Sequence, residues 1–365
     1  MKPAPAVHVH GDIDRTGVLL TNLGTPDAPT TKAVRRYLAE FLSDTRVIEL
    51  SPWIWQPILH GIILRVRPRK SAAAYGRIWT DAGSPLLSIS KQQAGRIDAA
   101  LTRHVPGGAI VTALGMRYGT PSIASALEFL RAANVQRLLV FPLYPQYSAA
   151  TTGATFDAVA NVLKGWRWVP ELRFINHYHD DTGYVDALAS SVRHHQEQHG
   201  KPDRLLVSFH GLPKHYFLAG DPYFCHCQKT ARLMAERLGL NADQYAVSFQ
   251  SRFGLREWLQ PYTDRLLLEW VKQGITNVQV ICPGFSADCL ETLEEINMLD
   301  REKFMEHGGK QFSYIPALND TPAHIDVLTG IVRRHVSGWD CPADTEQLEA
   351  TRRRANEMGT NRQDS

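Results

Sequence analysis

The chain has 365 residues, enough for about two domains at roughly 150 residues each. Hydrophobic residues make up 44% and charged residues 21%, a globular balance that excludes a disordered chain, a collagen and a disulfide miniprotein. With 40 basic and 37 acidic residues the net charge is only +3, which argues against broad electrostatic binding to nucleic acid, and five cysteines are too few for a disulfide framework.

Residues 1–15 are polar, lack the apolar stretch of a secretory signal and read as a flexible tail. Short, near-continuous apolar runs follow at Val18–Asn22, Ala109–Ala113, Arg137–Phe141, Leu172–Asn176, Leu205–Phe209, Tyr245–Phe249, Val278–Cys282 and Phe312–Ile315. Strands buried on both faces read this way. Amphipathic stretches lie between them, among them Ser122–Ala133, Tyr184–Gln198, Lys229–Leu238 and Leu259–Gln273. Thr151–Val169 is also helical in pattern and is expected to carry the chain from a first unit, 16–155, into a second, 156–318. This alternation predicts an α/β fold with parallel sheets. The uncharged runs Leu50–Leu64 and Leu138–Phe156 are broken by Pro and polar residues, so neither reads as a membrane span. Residues 340–365, with Arg352-Arg353-Arg354, read as a second flexible tail. A cytoplasmic location is expected.

The chain also carries a weak duplication. Leu19–Pro26 parallels Leu206–Pro213, Met116–Gly119 parallels Ser251–Gly254, and Arg137–Pro142 parallels Val278–Pro283. The offsets are 187, 135 and 141 residues, so this is no tandem array. Two similar doubly wound units would account for it. Parallel sheets bind ligands at the carboxyl ends of their strands, which directs attention to the Gly/Pro turns found there.

His210 follows one such strand and precedes Gly211 and Pro213. An imidazole there can accept a proton or ligate a metal. Asp288, Glu291 and Glu295 stand at i, i+3 and i+7, one face of a helix that starts at Cys289. Their repulsion favours a cation or a shared proton load, although Asp288-x-x-Glu291 also fits a capping box. Arg117-Tyr118 offers a cation beside an aromatic, suited to a carboxylate on a flat apolar ligand. Trp53–Leu64 is strongly apolar and runs into Arg65, Arg67, Arg69 and Lys70. It is either a buried helix or an exposed lip that meets an apolar ligand or membrane surface. Cys225-His226-Cys227 is too tight for a zinc motif and has no second pair. No dinucleotide fingerprint or P-loop occurs.

Together, six segments resemble the ferrochelatases. They are Asn22–Pro26, Gly115–Tyr118, Tyr144–Ser148 with Thr151-Thr152-Gly153, Ser208–Pro213, Gly220–Tyr223 and Glu291–Leu293, spread over roughly Thr16 to His335. The resemblance is to the Gram-negative bacterial branch. It implies two similar α/β domains around a cleft, with a C-terminal helix near 322–335 packed back on the first. It implies Fe²⁺ and protoporphyrin IX as substrates and protohaem as product. His210 and Glu291 then match the catalytic and metal-site pair, Asp288 and Glu295 a proton or metal relay, and Leu23, Tyr75, Arg117, Tyr118 and Trp258 the porphyrin pocket. The stretch 53–70 matches a lip that touches membranes in some members.

Cys289 stands where animal ferrochelatases have a histidine. Ala149 replaces one ligand of the [2Fe–2S] cluster found in some members, and Cys341 is the lone cysteine of the C-terminal tail, so no cluster is expected. A chelatase for another tetrapyrrole or metal shares the same pocket residues. A non-catalytic porphyrin carrier would need the lip and Arg117 but not the acidic row. The sequence leaves the oligomeric state open, and with it the choice for His210 between base and metal ligand.

Overall fold

The computed structural model describes residues 10–104, 110–254, 256–339 and 345–358. Its strands are β1 (Arg15–Gly24), β2 (Ile110–Tyr118), β3 (Val135–Pro142), β4 (Glu171–Phe174), β5 (Arg204–His210), β6 (Tyr245–Gln250), β7 (Asn277–Ile281) and β8 (Gln311–Ile315). Each falls on one of the apolar runs, though Ala109 lies outside the described residues. All pairings within the two sheets are parallel. The sheets have the orders β2-β1-β3-β4 and β6-β5-β7-β8, one topology used twice.

The central strands hold the core. Val18, Leu19 and Leu20 of β1 and Leu206 and Val207 of β5 are fully buried, each contributing about 1.5–3 kcal/mol. Helices cover both faces, and their ends follow local chemistry. The Ser122 hydroxyl accepts from Ser125 N–H to start Ile123–Ala132, and the Asp181 carboxylate accepts from Tyr184 N–H to start Thr182–His199. The helix expected from Leu259 begins only at Thr263. Pro261 supplies no N–H and disfavours helical backbone at Gln260.

Three sequence expectations shift. β4 pairs with β3, so the first unit runs past 155 to Phe174, and the crossing to the second lies between Phe174 and helix Thr182–His199. Leu172–Asn176 reads like every other strand, and only pairing reveals which sheet takes it. The helical stretch expected over Thr151–Val169 is a π-helical turn, Ala149–Gly153, followed by a helix that stops at Leu163, just before Gly165. A helix, Thr345–Glu357, stands within the polar stretch read as a tail. Its Arg352 pairs with Asp12 at 3.3 Å. Residues 1–9, 340–344 and 359–365 lie outside the described residues.

Helix Pro322–Val336 buries Ile325, Leu328, Ile331 and Val332. It packs on helix Pro85–His104 and on β3, and also touches helix Thr182–His199.

Candidate active site

The duplicated turns close the two central strands in the same way. β1 ends in Leu23-Gly24, and β5 continues as His210-Gly211. A Cβ on Gly24 would lie 1.8 Å from the Tyr118 carbonyl oxygen, and one on Gly211 would lie 2.6 Å from that of Gln250. Only glycine lets each neighbouring strand end come so close. Residue 23 in one unit and residue 210 in the other are therefore presented at equivalent sheet edges.

His210 Nδ1 lies 2.6 Å from the Gly211 carbonyl oxygen. A carbonyl only accepts, so Nδ1 carries the proton and Nε2 keeps its lone pair. Beside His210 in the sheet register is Gln250. Ser208 Oγ donates to Gln250 Oε1 at 2.7 Å, which turns Nε2 of Gln250 to donate to the Glu291 carbonyl at 2.8 Å. Ser251 then adopts left-handed backbone, φ 64°, uncommon for a residue other than glycine. That turn aims its N–H at Glu295 Oε1, 2.8 Å away, and its hydroxyl at the other oxygen. One strand end, paired with the strand that ends in His210, thus holds the backbone of Glu291 and the carboxylate of Glu295. Burial pushes the Glu295 carboxyl above its ordinary range, and Glu291 adds to the rise, while the Ser251 bonds, and His210 in its imidazolium form, pull it back.

The glutamates lie on a ten-residue π-helix, Glu291–Asp300. Hydrogen bonding from i to i+5 brings residues four to five apart onto one face. The shared face is therefore Glu291, Glu295 and Asp300. Asp288 precedes the helix and does not share that face as the α-helical spacing predicts. Its carboxylate accepts from Thr292 Oγ1 at 2.9 Å, Tyr314 Oη at 2.6 Å and Asn319 Nδ2 at 2.7 Å. It anchors the helix start to the end of β8.

Asp300 replaces it in the row. Burial, aided by Glu295 and Asp264, pushes its carboxyl up to about 8, with Lys303 opposing. Such a group binds a proton in the folded chain that the unfolded chain has already lost. Stability therefore falls as pH rises from about 4 to about 8. Asp300→Asn removes this loss. The variant is expected to melt higher than wild type at pH 8, by an amount on the order of a few kcal/mol, with the gap closing near pH 4. Thermal melts across that range check this, and a gap independent of pH would contradict it.

The first unit supplies an aromatic wall. Burial pushes the phenols of Tyr37, Tyr75, Tyr118 and Tyr144 well up, so they stay protonated, and Tyr37 and Tyr75 feel the charge of Glu291. Leu23 packs with Ala287 and Cys289, just before the π-helix. Arg117 is ion-paired with Asp44, which also accepts from Tyr118 Oη at 2.8 Å. Its guanidinium lies 4.5 Å from the Tyr118 ring centroid, and its Nε is buried with no partner. Trp258 is buried, donates from Nε1 to the Phe253 carbonyl at 3.0 Å and packs against Gly211.

Residues 52–78 form one helical stretch with a π-helical turn at Leu59–Ile63. One face of this stretch is buried and the other is exposed. Trp55, Leu59 and Leu64 are buried, whereas Trp53 is 89% exposed and Ile54, Ile62 and Val66 are exposed with it. Arg67 reaches over the Phe253 ring of the second unit at 5.2 Å. Among the described residues no helix is long and apolar enough to cross a membrane.

Gln250, Ser251 and Asp300 join the site without having been singled out from sequence. Ser251 alone has an early signal, the parallel between Met116–Gly119 and Ser251–Gly254, which marks both segments as equivalent strand ends.

The ferrochelatase family model matches residues 15–336, from β1 to the C-terminal end of helix Pro322–Val336. A ferrochelatase of Nitrosococcus oceani is 58% identical over 330 residues, covering 90% of this chain and 89% of its own length. One of Thioalkalivibrio sulfidiphilus is 55% identical and covers 96% of both chains. Among solved structures, SirB from Bacillus subtilis with Fe³⁺ aligns at a TM-score of 0.53 and 12% identity, covering 89% of this chain and 97% of its own, a likeness of fold. A family model that spans both sheets, and relatives matched along nearly their whole length, give one answer: the chain belongs to the ferrochelatase family.

Proposed function

We propose that this enzyme inserts Fe²⁺ into protoporphyrin IX in the cleft between its sheets, with His210 and Glu291 at the ring centre. The reaction, which gives protohaem, is that of the family. The observation that carries the residue roles is the His210 tautomer, because its bond to Gly211 leaves Nε2 free.

A free-base porphyrin must buckle and lose two N–H protons before the metal seats. A wall shaped to the buckled ring favours that state over the flat substrate. Leu23, Tyr75, Tyr118 and Trp258 form the wall, and Arg117 with Asp44 and Tyr118 offers the cationic end for a propionate. His210 Nε2 takes each of the two pyrrole protons in turn. Glu295, whose burial favours its protonated form, receives each from the imidazolium, and Asp300 carries the row outward. Asp264, bonded to Lys303 at 3.1 Å and Arg252 at 3.4 Å, stands at its outer end. Asp288, matched by the family resemblance to the relay, acts on it by fixing the helix start.

The test is anaerobic mixing of the enzyme with protoporphyrin IX and Fe²⁺, followed by absorbance, with coproporphyrin and Co²⁺ in parallel arms. Faster turnover on either alternative would reassign the substrate. Tight porphyrin binding with no metallation in any arm would favour a carrier.

The proposal extends to location and cofactors. The exposed stripe Trp53, Ile54, Ile62 and Val66, flanked by exposed Arg65, Arg69 and Lys70, suits peripheral contact with an anionic membrane from the cytoplasm. Trp53→Ser with Ile62→Ser is expected to weaken cosedimentation with anionic vesicles about tenfold or more, with unchanged cosedimentation as the contrary result. No iron–sulfur cluster is proposed. An iron–sulfur absorption spectrum in haem-free protein would overturn that.

A further inference from the structure

The crossing between the two units carries His177 and His179, and helix Tyr223–Leu238 of the second unit brings His226 against them. One ring nitrogen from each lies within 4.8 Å of the other two, the one such trio of potential ligands among the described residues. The rings of His179 and His226 are stacked, 3.8 Å between centroids, and His177 lies 4.9 Å from both. No hydrogen bond or ring contact joins the trio to His210, Glu291 or Glu295 among the described residues.

Their partners suit ligation. His177 Nδ1 is 3.0 Å from Asn176 Oδ1, which keeps Nδ1 protonated and leaves Nε2 free. The buried Nδ1 of His179 has no hydrogen-bond partner and lies 3.8 Å from Asp180 Oδ1. A carboxylate behind a ligating imidazole is the usual support in metal sites. His226 Nδ1 accepts a long bond, 3.2 Å, from the Tyr147 N–H. That bond is exchanged for the metal on ligation. Nitrogens bound to one tetrahedral ion sit about 3.3 Å apart and the ion lies in the plane of each ring that binds it, so closing the trio asks one of the two stacked rings to rotate out of the stack as well as a shift of roughly an ångström.

We propose that His177, His179 and His226 bind a divalent transition-metal ion of the zinc class, at a site separate from the cleft. Three imidazoles suit zinc, nickel, copper or cobalt. His177 is exposed, so the site opens to solvent and leaves a fourth position for water. The bound ion would pin the crossing segment to helix Tyr223–Leu238, reinforcing the Asp180–Lys229 pair at 2.6 Å.

The test is Zn²⁺ titration against a chromophoric chelator, in a His210→Ala, Glu291→Gln background that empties the cleft. One Zn²⁺ per chain is expected to remain, and His177→Asn should weaken it at least tenfold. Co²⁺ should give a visible absorption band that the same substitution abolishes. The exposed His177 can change without disturbing the core, which an unchanged metal-free melting temperature would verify. His226→Gln provides an independent second variant. No Zn²⁺ retained in the background chain, or retention indifferent to both substitutions, would overturn the proposal.

Discussion

His210→Ala lowers the rate of iron insertion by about two to four orders of magnitude, the range for a positioned general base, while porphyrin still binds. The reason lies in the sheet edge. Gly211 fixes the imidazole through Nδ1, and Gln250 and Ser251 beside it hold the two glutamates. Removing the ring removes the free Nε2 lone pair but leaves Leu23, Tyr75, Tyr118 and Trp258 in place. Steady-state turnover with a parallel fluorescence titration of porphyrin separates the two effects. Glu291→Gln should also be severe, and the double variant little worse than either alone, because groups that act as a unit are strongly non-additive. Near wild-type turnover in His210→Ala would move the proton acceptor elsewhere.

The second large effect falls on the fold. Asp288→Ala strips an acceptor from Thr292, Tyr314 and Asn319 at once, and Asp288 is itself only 6% exposed. Leaving buried donors unsatisfied costs about 1–3 kcal/mol each, so a loss of about 3–5 kcal/mol is expected in denaturant melts. Asp288→Asn keeps the shape and part of the bonding. At a temperature where it stays folded, it should turn over near the wild-type rate. A variant as stable as wild type but much slower would instead make Asp288 a direct member of the relay.

The difference between these residues shows what the sequence could convey. Strands buried on both faces leave continuous apolar runs, so every strand was legible, and the duplicated turns foretold two sheets of one topology. His210 stood out because an imidazole directly after a buried strand is conspicuous. Gln250 and Ser251 did not, since their part depends on a hydrogen bond from Ser208 and on a left-handed residue, neither of which has a spacing signature. The acidic row was misregistered for a physical reason. An α-helical period takes Asp288 with Glu291 and Glu295, whereas the wider π-helical turn takes Asp300. The histidine trio was hidden by distance along the chain, with His179 and His226 separated by 47 positions.

The ten-residue π-helix also sets what this segment can tolerate. Its face is defined by counting, since Glu291 and Glu295 are four residues apart and Glu295 and Asp300 five. Exchanges among its outward residues leave that count intact. Inserting one residue between Glu295 and Asp300 would set them six apart, a spacing that neither the π-helix nor an ordinary α-helix of 3.6 residues per turn brings onto one face. The carboxylates would then no longer share one line, although none had been replaced. The segment should therefore accept many substitutions but no residue added at that point.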